Sequence, residues 1–133
     1  PIRFFQAFEV DPGDPDREAL KFAQRVLESG HGLMMFPEGK ISESGELGEI
    51  LAGAVLLALK SDATVIPVGV WGTQHVIPYG KMMPRPTLQK VRIHYGPPLR
   101  FDDLKNLPKR EQREAAAERL EQAMRAAREA SRR

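Results

Sequence analysis

Apolar positions fall into two rhythms along this chain, and they alternate. The first ten residues are rich in phenylalanine (Phe4, Phe5, Phe8) and loosely alternating, which predicts a strand. Asp11-Pro12-Gly13-Asp14-Pro15 stops that strand and opens a helix. Asp14 suits an N-cap, Pro15 the first helical position, and Asp16 the positive end of the helix dipole. Ala19, Leu20, Ala23, Val26 and Leu27 recur at helical spacing, and Gly30 is expected to end the helix as a left-handed cap. Leu33, Met34, Met35 and Phe36 form a continuous apolar run, expected as a strand buried on both faces and broken by Pro37-Glu38-Gly39. Beyond a polar loop at 40–45, residues 47–59 read as a helix that is apolar nearly all round.

Residues 64–70 predict a third strand, irregular, bulged or at an edge around Pro67, which cannot donate to a ladder. Residues 71–89 read as a long connection, and 91–95 alternate cleanly as a fourth strand. From Pro108 to the terminus runs an alanine- and arginine-rich helix with a narrow apolar stripe. Strands alternating with helices in this order predict an α/β fold with a mixed, mainly parallel sheet and flanking helices. No repeat or linker divides the chain. A single domain over 1–133 is expected, with an α/β core at 1–107 and a C-terminal surface helix at 108–133.

Composition narrows the function. Hydrophobic residues make up 41% and charged residues 29%, which is globular rather than disordered. Twenty basic and 18 acidic side chains leave a net +2, too balanced to argue for nucleic acid. The absence of cysteine removes thiol catalysis, disulfides and cysteine zinc sites. The longest run of apolar or small residues, 50–59, is about half of what a spanning helix needs. From Lys109 onward eight basic residues face five acidic ones, and basic amphipathic helices can touch anionic lipid. Its alanine face and interspersed glutamates favour instead a solvated helix packed through Leu120 and Met124.

Candidate chemistry gathers at Phe36-Pro37-Glu38-Gly39-Lys40-Ile41-Ser42. Ligands of open α/β sheets collect beyond the carboxyl ends of strands, where Glu38 is expected. A carboxylate there can accept a hydrogen bond from a substrate hydroxyl. Gly39 permits close approach and its neighbourhood can offer free amides to an anion, and Lys40 adds a positive charge. The alternative is a polar turn with Glu38 paired to Lys40 in solvent. The 47–59 helix likewise has two readings, a core helix or the lining of an acyl-chain slot, of which core is favoured. His75 and His94 read as structural residues, and Trp71 as packing at the end of the sheet.

Taken together, these residues resemble the glycerolipid acyltransferases, the family of 1-acylglycerol-3-phosphate O-acyltransferase. Phe36-Pro37-Glu38-Gly39 is similar to the third signature block of that family. Val65-Ile66-Pro67-Val68 resembles the fourth, a strand containing a proline, and residues 7–11 lie where the second would. Trp71-Gly72-Thr73, Met83-Pro84-Arg85-Pro86 and Tyr95-Gly96-Pro97-Pro98-Leu99 resemble the downstream pattern, so the likeness covers nearly the whole chain. The family's first block, His-x-x-x-x-Asp, is not found. The fifth residue after His31 is Phe36, after His75 Gly80, and after His94 Leu99. Pro12 stands where an arginine usually ends the second block, and Lys40 and Ile41 replace the threonine and arginine that commonly follow Glu-Gly. Lys40 or Arg17 is the candidate substitute for phosphate binding.

The resemblance implies a glycerol-3-phosphate acyltransferase-like fold, here truncated at its N-terminus. It implies transfer of a fatty acyl group from acyl-CoA or acyl carrier protein to the hydroxyl of a lysophospholipid, in phospholipid biosynthesis. A histidine takes the hydroxyl proton as the oxygen attacks the thioester carbonyl, and no cofactor or metal is needed beyond the thioester co-substrate. On this reading Phe36, Pro37, Glu38, Gly39, Lys40 and Ser42 bind the acceptor. The catalytic base is expected upstream of Pro1, and the 133 residues alone are expected to be inactive. The whole protein is expected to sit peripherally on the cytoplasmic face of a membrane. The alternative is a catalytically silent lipid- or anion-binding α/β fragment.

Overall fold

Helix α1, Arg17–Glu28, is the first element of the computed structural model, which describes residues 17–39, 46–80 and 83–133. The strand expected at 1–10 and the Asp14-Pro15 cap lie outside the described residues. Ala19 and Ala23 form the buried stripe of α1. Its end follows the expectation closely. Gly30 adopts φ +80°, its amide donates to the Leu27 carbonyl at 3.0 Å, and the His31 amide donates to Val26 at 3.2 Å. This double bond is the Schellman closure that only a residue free of Cβ adopts cheaply.

Residues 33–36 do not form the expected strand. Met34 and Phe36 are about four-fifths exposed. A continuous apolar run becomes a doubly buried strand only between two neighbouring strands, and no described residue pairs with this one in a ladder. Helix α2 is also shorter than expected, Ala52–Lys60 rather than 47–59. The backbone before it is extended at Leu51, whose amide donates to the Pro37 carbonyl at 2.8 Å. The 47–51 segment is thereby held as a strap against the 36–39 turn. Ala54, Val55, Leu57 and Ala58 of α2 are buried, so the core reading holds for this helix.

Strand β1, Val68–Trp71, pairs antiparallel with β2, Arg92–Tyr95, in the register Val68↔Tyr95 to Trp71↔Arg92. A mainly parallel sheet is therefore not what the described residues show. Among its described residues the connection between these strands carries only the one-turn helix α3, Thr73–Val76, rather than a crossover helix. It returns the chain to the end of the sheet it left, and that enforces antiparallel pairing. An isolated bridge, Val65↔Leu99, extends the pair. Between that bridge and Val68↔Tyr95, two residues (66 and 67) oppose three (96, 97 and 98), which is a bulge. Pro67, fully buried, sits in it, and its carbonyl accepts the Gly96 amide at 2.8 Å. The irregularity expected at Pro67 is present.

A 3-10 turn, Asp102–Leu104, leads into α4, Lys109–Arg132. Ala116, Leu120 and Ala127 are its buried apolar positions, while Met124 is only half-buried. The alanine stripe allows backbone contact with the sheet: a Cβ on Gly69 would fall 2.1 Å from the Ala127 carbonyl oxygen. Val55 and Ala58 of α2, Phe101, Leu104 and Ala116 of α4 form the core cluster, with Val65 and Leu99 packed against it. At about 25 cal/mol per Å² of apolar surface, such burial supplies the main favourable term. Arg119 ties α4 to the 3-10 turn through a bidentate pair with Asp103 (2.8 and 2.7 Å) and a bond to the Arg100 carbonyl.

Candidate functional site

The 36–39 turn is built by Gly39. Its φ of +63° lies in the left-handed region, and its amide closes the turn onto the Phe36 carbonyl at 3.2 Å. A Cβ there would also meet Leu51 Cδ1 at 2.5 Å. That amide is consequently occupied by the turn and is not one of the free donors anticipated for an anion.

Glu38 occupies the central position of the turn and is half-buried. Its carboxylate folds back toward the strap, where Oε2 accepts the Gly48 amide at 2.6 Å. Such charge-assisted bonds to a backbone N–H are short and stronger than neutral ones. The partner is thus a backbone amide ten residues on, not a cation, and Oε1 has no protein partner among the described residues. A Cβ on Gly48 would lie 3.1 Å from Oε2, so a residue without a side chain keeps this approach open. Gly48 and the Pro37 carbonyl were not anticipated from sequence. The only signal was a glycine between Leu47 and Glu49, which the helical reading of 47–59 concealed.

Phe36, Pro37, Glu38 and Gly39, expected to bind the acceptor, form one turn. Lys40 and Ser42, also expected to bind, lie outside the described residues. Arg17, the other candidate for phosphate, opens α1 and is exposed. Gly48 also lines an open groove of about 460 Å³ between the strap and α4, together with Leu47, Ile50, Ala117 and the Glu121–Arg125 ion pair. Glu49 also lines it, so three of its seven lining residues are charged.

A second polar cluster closes the far end of the strap. Arg132 donates to Glu46, and Arg128 approaches the same carboxylate at 3.9 Å. The Arg132 guanidinium holds the Glu46 carboxyl below its usual range, with Arg128 and Arg125 adding to the effect. Both Arg128 and Arg132 also stack over Trp71, at 5.6 and 4.8 Å from the ring centroid. Trp71 does end β1, as expected, and its partners come from α4. None of the three histidines contacts Glu38 among the described residues. His31 meets Ser29, His75 meets Gln74, and His94 is exposed in β2. No group of three metal-ligating side chains occurs among the described residues.

A family model described as Acyltransferase matches residues 2–71, which include the 36–39 turn, the strap and β1. The chain is 35% identical over 63 residues to a chloroplastic 1-acyl-sn-glycerol-3-phosphate acyltransferase of Arabidopsis thaliana. That alignment covers 47% of this chain and 18% of the relative. It is 36% identical over 87 residues to a 1-acyl-sn-glycerol-3-phosphate acyltransferase of Limnanthes douglasii, covering 65% of this chain and 30% of the relative. Its fold superposes on the crystal structure of the 1-acyl-sn-glycerophosphate (LPA) acyltransferase PlsC from Thermotoga maritima. The TM-score is 0.66 at 30% identity, over 86% of this chain and 45% of that one. The matched part therefore spans less than half the length of each of these relatives.

Proposed function

The chain belongs to the Acyltransferase family, and from that premise we propose that it forms the acceptor-binding part of an O-acyltransferase. The acceptor is a lysophospholipid of the 1-acylglycerol-3-phosphate kind, and the donor is a fatty acyl thioester of coenzyme A or acyl carrier protein. The observation that carries the reading is the Glu38 carboxylate. One of its oxygens is fixed by the Gly48 amide at 2.6 Å, and the other is left to accept from a ligand hydroxyl.

In the proposed reaction the acceptor hydroxyl oxygen attacks the thioester carbonyl. The ester C–O bond forms, the C–S bond breaks, and the hydroxyl proton passes through a general base to the leaving thiolate. Glu38 orients the acceptor at the turn, and the 47–50 groove holds its apolar part. General-base catalysis contributes roughly 10²–10⁴-fold and orientation can contribute more. None of the three histidines has an aspartate five residues on, so the base is proposed to lie outside these 133 residues. Metal and cofactor play no part in the proposed step. The whole protein is proposed to act at the cytoplasmic face of a membrane as a peripheral enzyme.

Acyl transfer to lysophosphatidic acid, followed by chromatography of the diacylated product, tests this. The full-length protein should form product from a labelled thioester, and the 133-residue chain alone should not. Turnover by the isolated chain would overturn the division of labour. Absence of product from the full-length protein with either donor would overturn the activity.

A further inference from the structure

Gly48 has no side chain with which to hold itself, yet its amide fixes the orientation of Glu38. Where that amide points is therefore decided by what holds the chain on either side of it. No helix or strand covers 46–51. On the C-terminal side, Ile50 packs against the core cluster. On the N-terminal side, Glu46 accepts from Arg132 of α4 and lies 3.9 Å from Arg128. Gly48 is thus suspended between an apolar anchor and an ionic one.

The ionic anchor has a firm base. Ala127 of α4 lies so close to β1 that only a glycine fits opposite it at position 69. Arg119 fixes the same helix to the 3-10 turn through Asp103. An ordinary exposed ion pair contributes little, because two long side chains must be ordered to make it. Here Arg128 and Arg132 are already ordered over the Trp71 ring, so Glu46 meets a site assembled without it. The Arg128 side chain is only 18% exposed and belongs to the body of the molecule. The Arg132 hydrogen bond holds the Glu46 carboxyl below its usual range, so its charge persists at neutral pH. The Glu121–Arg125 pair differs, since it closes on its own helix rather than on the strap.

We propose that Glu46, held by Arg132 and Arg128 over Trp71, is a positioning residue that sets the place of the Gly48 amide and, through it, the direction in which Glu38 faces the acceptor. The inference rests on the proposed role of Glu38. It adds a control point in the last turns of α4, 86 residues along the chain from Glu46.

Kinetics and hydrogen exchange of the full-length protein test it together. Glu46→Ala should lower kcat/KM for lysophosphatidic acid by about tenfold through a raised KM, with the KM for the acyl thioester unchanged. Destabilisation alone would remove active enzyme and lower kcat, leaving both KM values as they were. Glu46→Asp keeps the charge and should retain most of the activity. In the Glu38→Ala background, Glu46→Ala should cost less than about twofold, because the group it acts through is gone. Exchange of the 47–51 amides, read by mass spectrometry, should quicken by about tenfold in Glu46→Ala and in Arg132→Ala. Glu114→Ala breaks another exposed ion pair of α4 and should move neither readout. Unchanged exchange, an unchanged acceptor KM, or a full tenfold cost persisting without Glu38 overturns the proposal. Glu38→Ala as active as the unsubstituted protein would sink the proposed function. A large loss in Glu38→Ala with Glu46→Ala unaffected would sink this inference alone.

Discussion

The hydrogen bond from the Gly48 amide fixes one oxygen of Glu38 and leaves the other open, so the carboxylate enters the site already oriented. From sequence, Glu38 is expected beyond the carboxyl end of a buried strand; the structure has the turn without the strand, and the Gly48 partner was not foreseen. That partner is a main-chain amide, and main-chain groups carry no residue-type signal. Gly69 is a comparable case, an ordinary strand glycine in sequence whose necessity comes only from the helix above it. Gly69→Ala should destabilise the chain by more than about 2 kcal/mol, because the new methyl meets backbone rather than a side chain that could move. A denaturant midpoint indistinguishable from that of the unsubstituted chain would contradict the packing described.

At the scale of elements, local chemistry was legible wherever it was self-contained. Gly30 closes α1 by a motif written in a single residue and its neighbours. Pro67 disrupts its ladder because it lacks a donor, whatever surrounds it. The apolar run at 33–36 was misread because a strand is defined by its neighbours. The 47–51 strap was misread because its hydrogen bonds go to Pro37 and Glu38 rather than along a helix.

The 3-10 turn offers an element-scale test. Lys105 and Arg100 hydrogen-bond Asp102 and lower its pKa from the ordinary 3.8 to about 2. Asp103 is lowered too, chiefly by Arg119. A carboxyl depressed on folding contributes stability that is present above its unfolded value and lost as pH falls through its folded value. The thermal midpoint should therefore fall between about pH 4 and pH 2, and Asp102→Asn should shrink that fall while lowering the midpoint at neutral pH. An unchanged pH profile for the variant would show that these exposed pairs contribute nothing measurable, as many do.

For the whole molecule, the alternation of strand and helix patterns pointed to the α/β class and the Phe36-Pro37-Glu38-Gly39 and Val65-Ile66-Pro67-Val68 motifs to the family, while sheet direction stayed hidden. Pairing direction depends on where a connection returns, and the 72–91 connection gave no periodic pattern to read. The terminal helix was expected to pack through Leu120 and Met124; Ala116 and Ala127 lie closer to the core, since alanine lets backbones approach. The Glu38 carboxylate is proposed to hold the acceptor during acyl transfer. Its most direct test is kcat/KM for lysophosphatidic acid in the full-length protein carrying Glu38→Ala or Glu38→Gln. Loss of positioning should lower the alanine variant by about 10²-fold, with glutamine retaining part of the activity because its amide oxygen still accepts. An alanine variant as active as the unsubstituted enzyme at both low and saturating acceptor would contradict it.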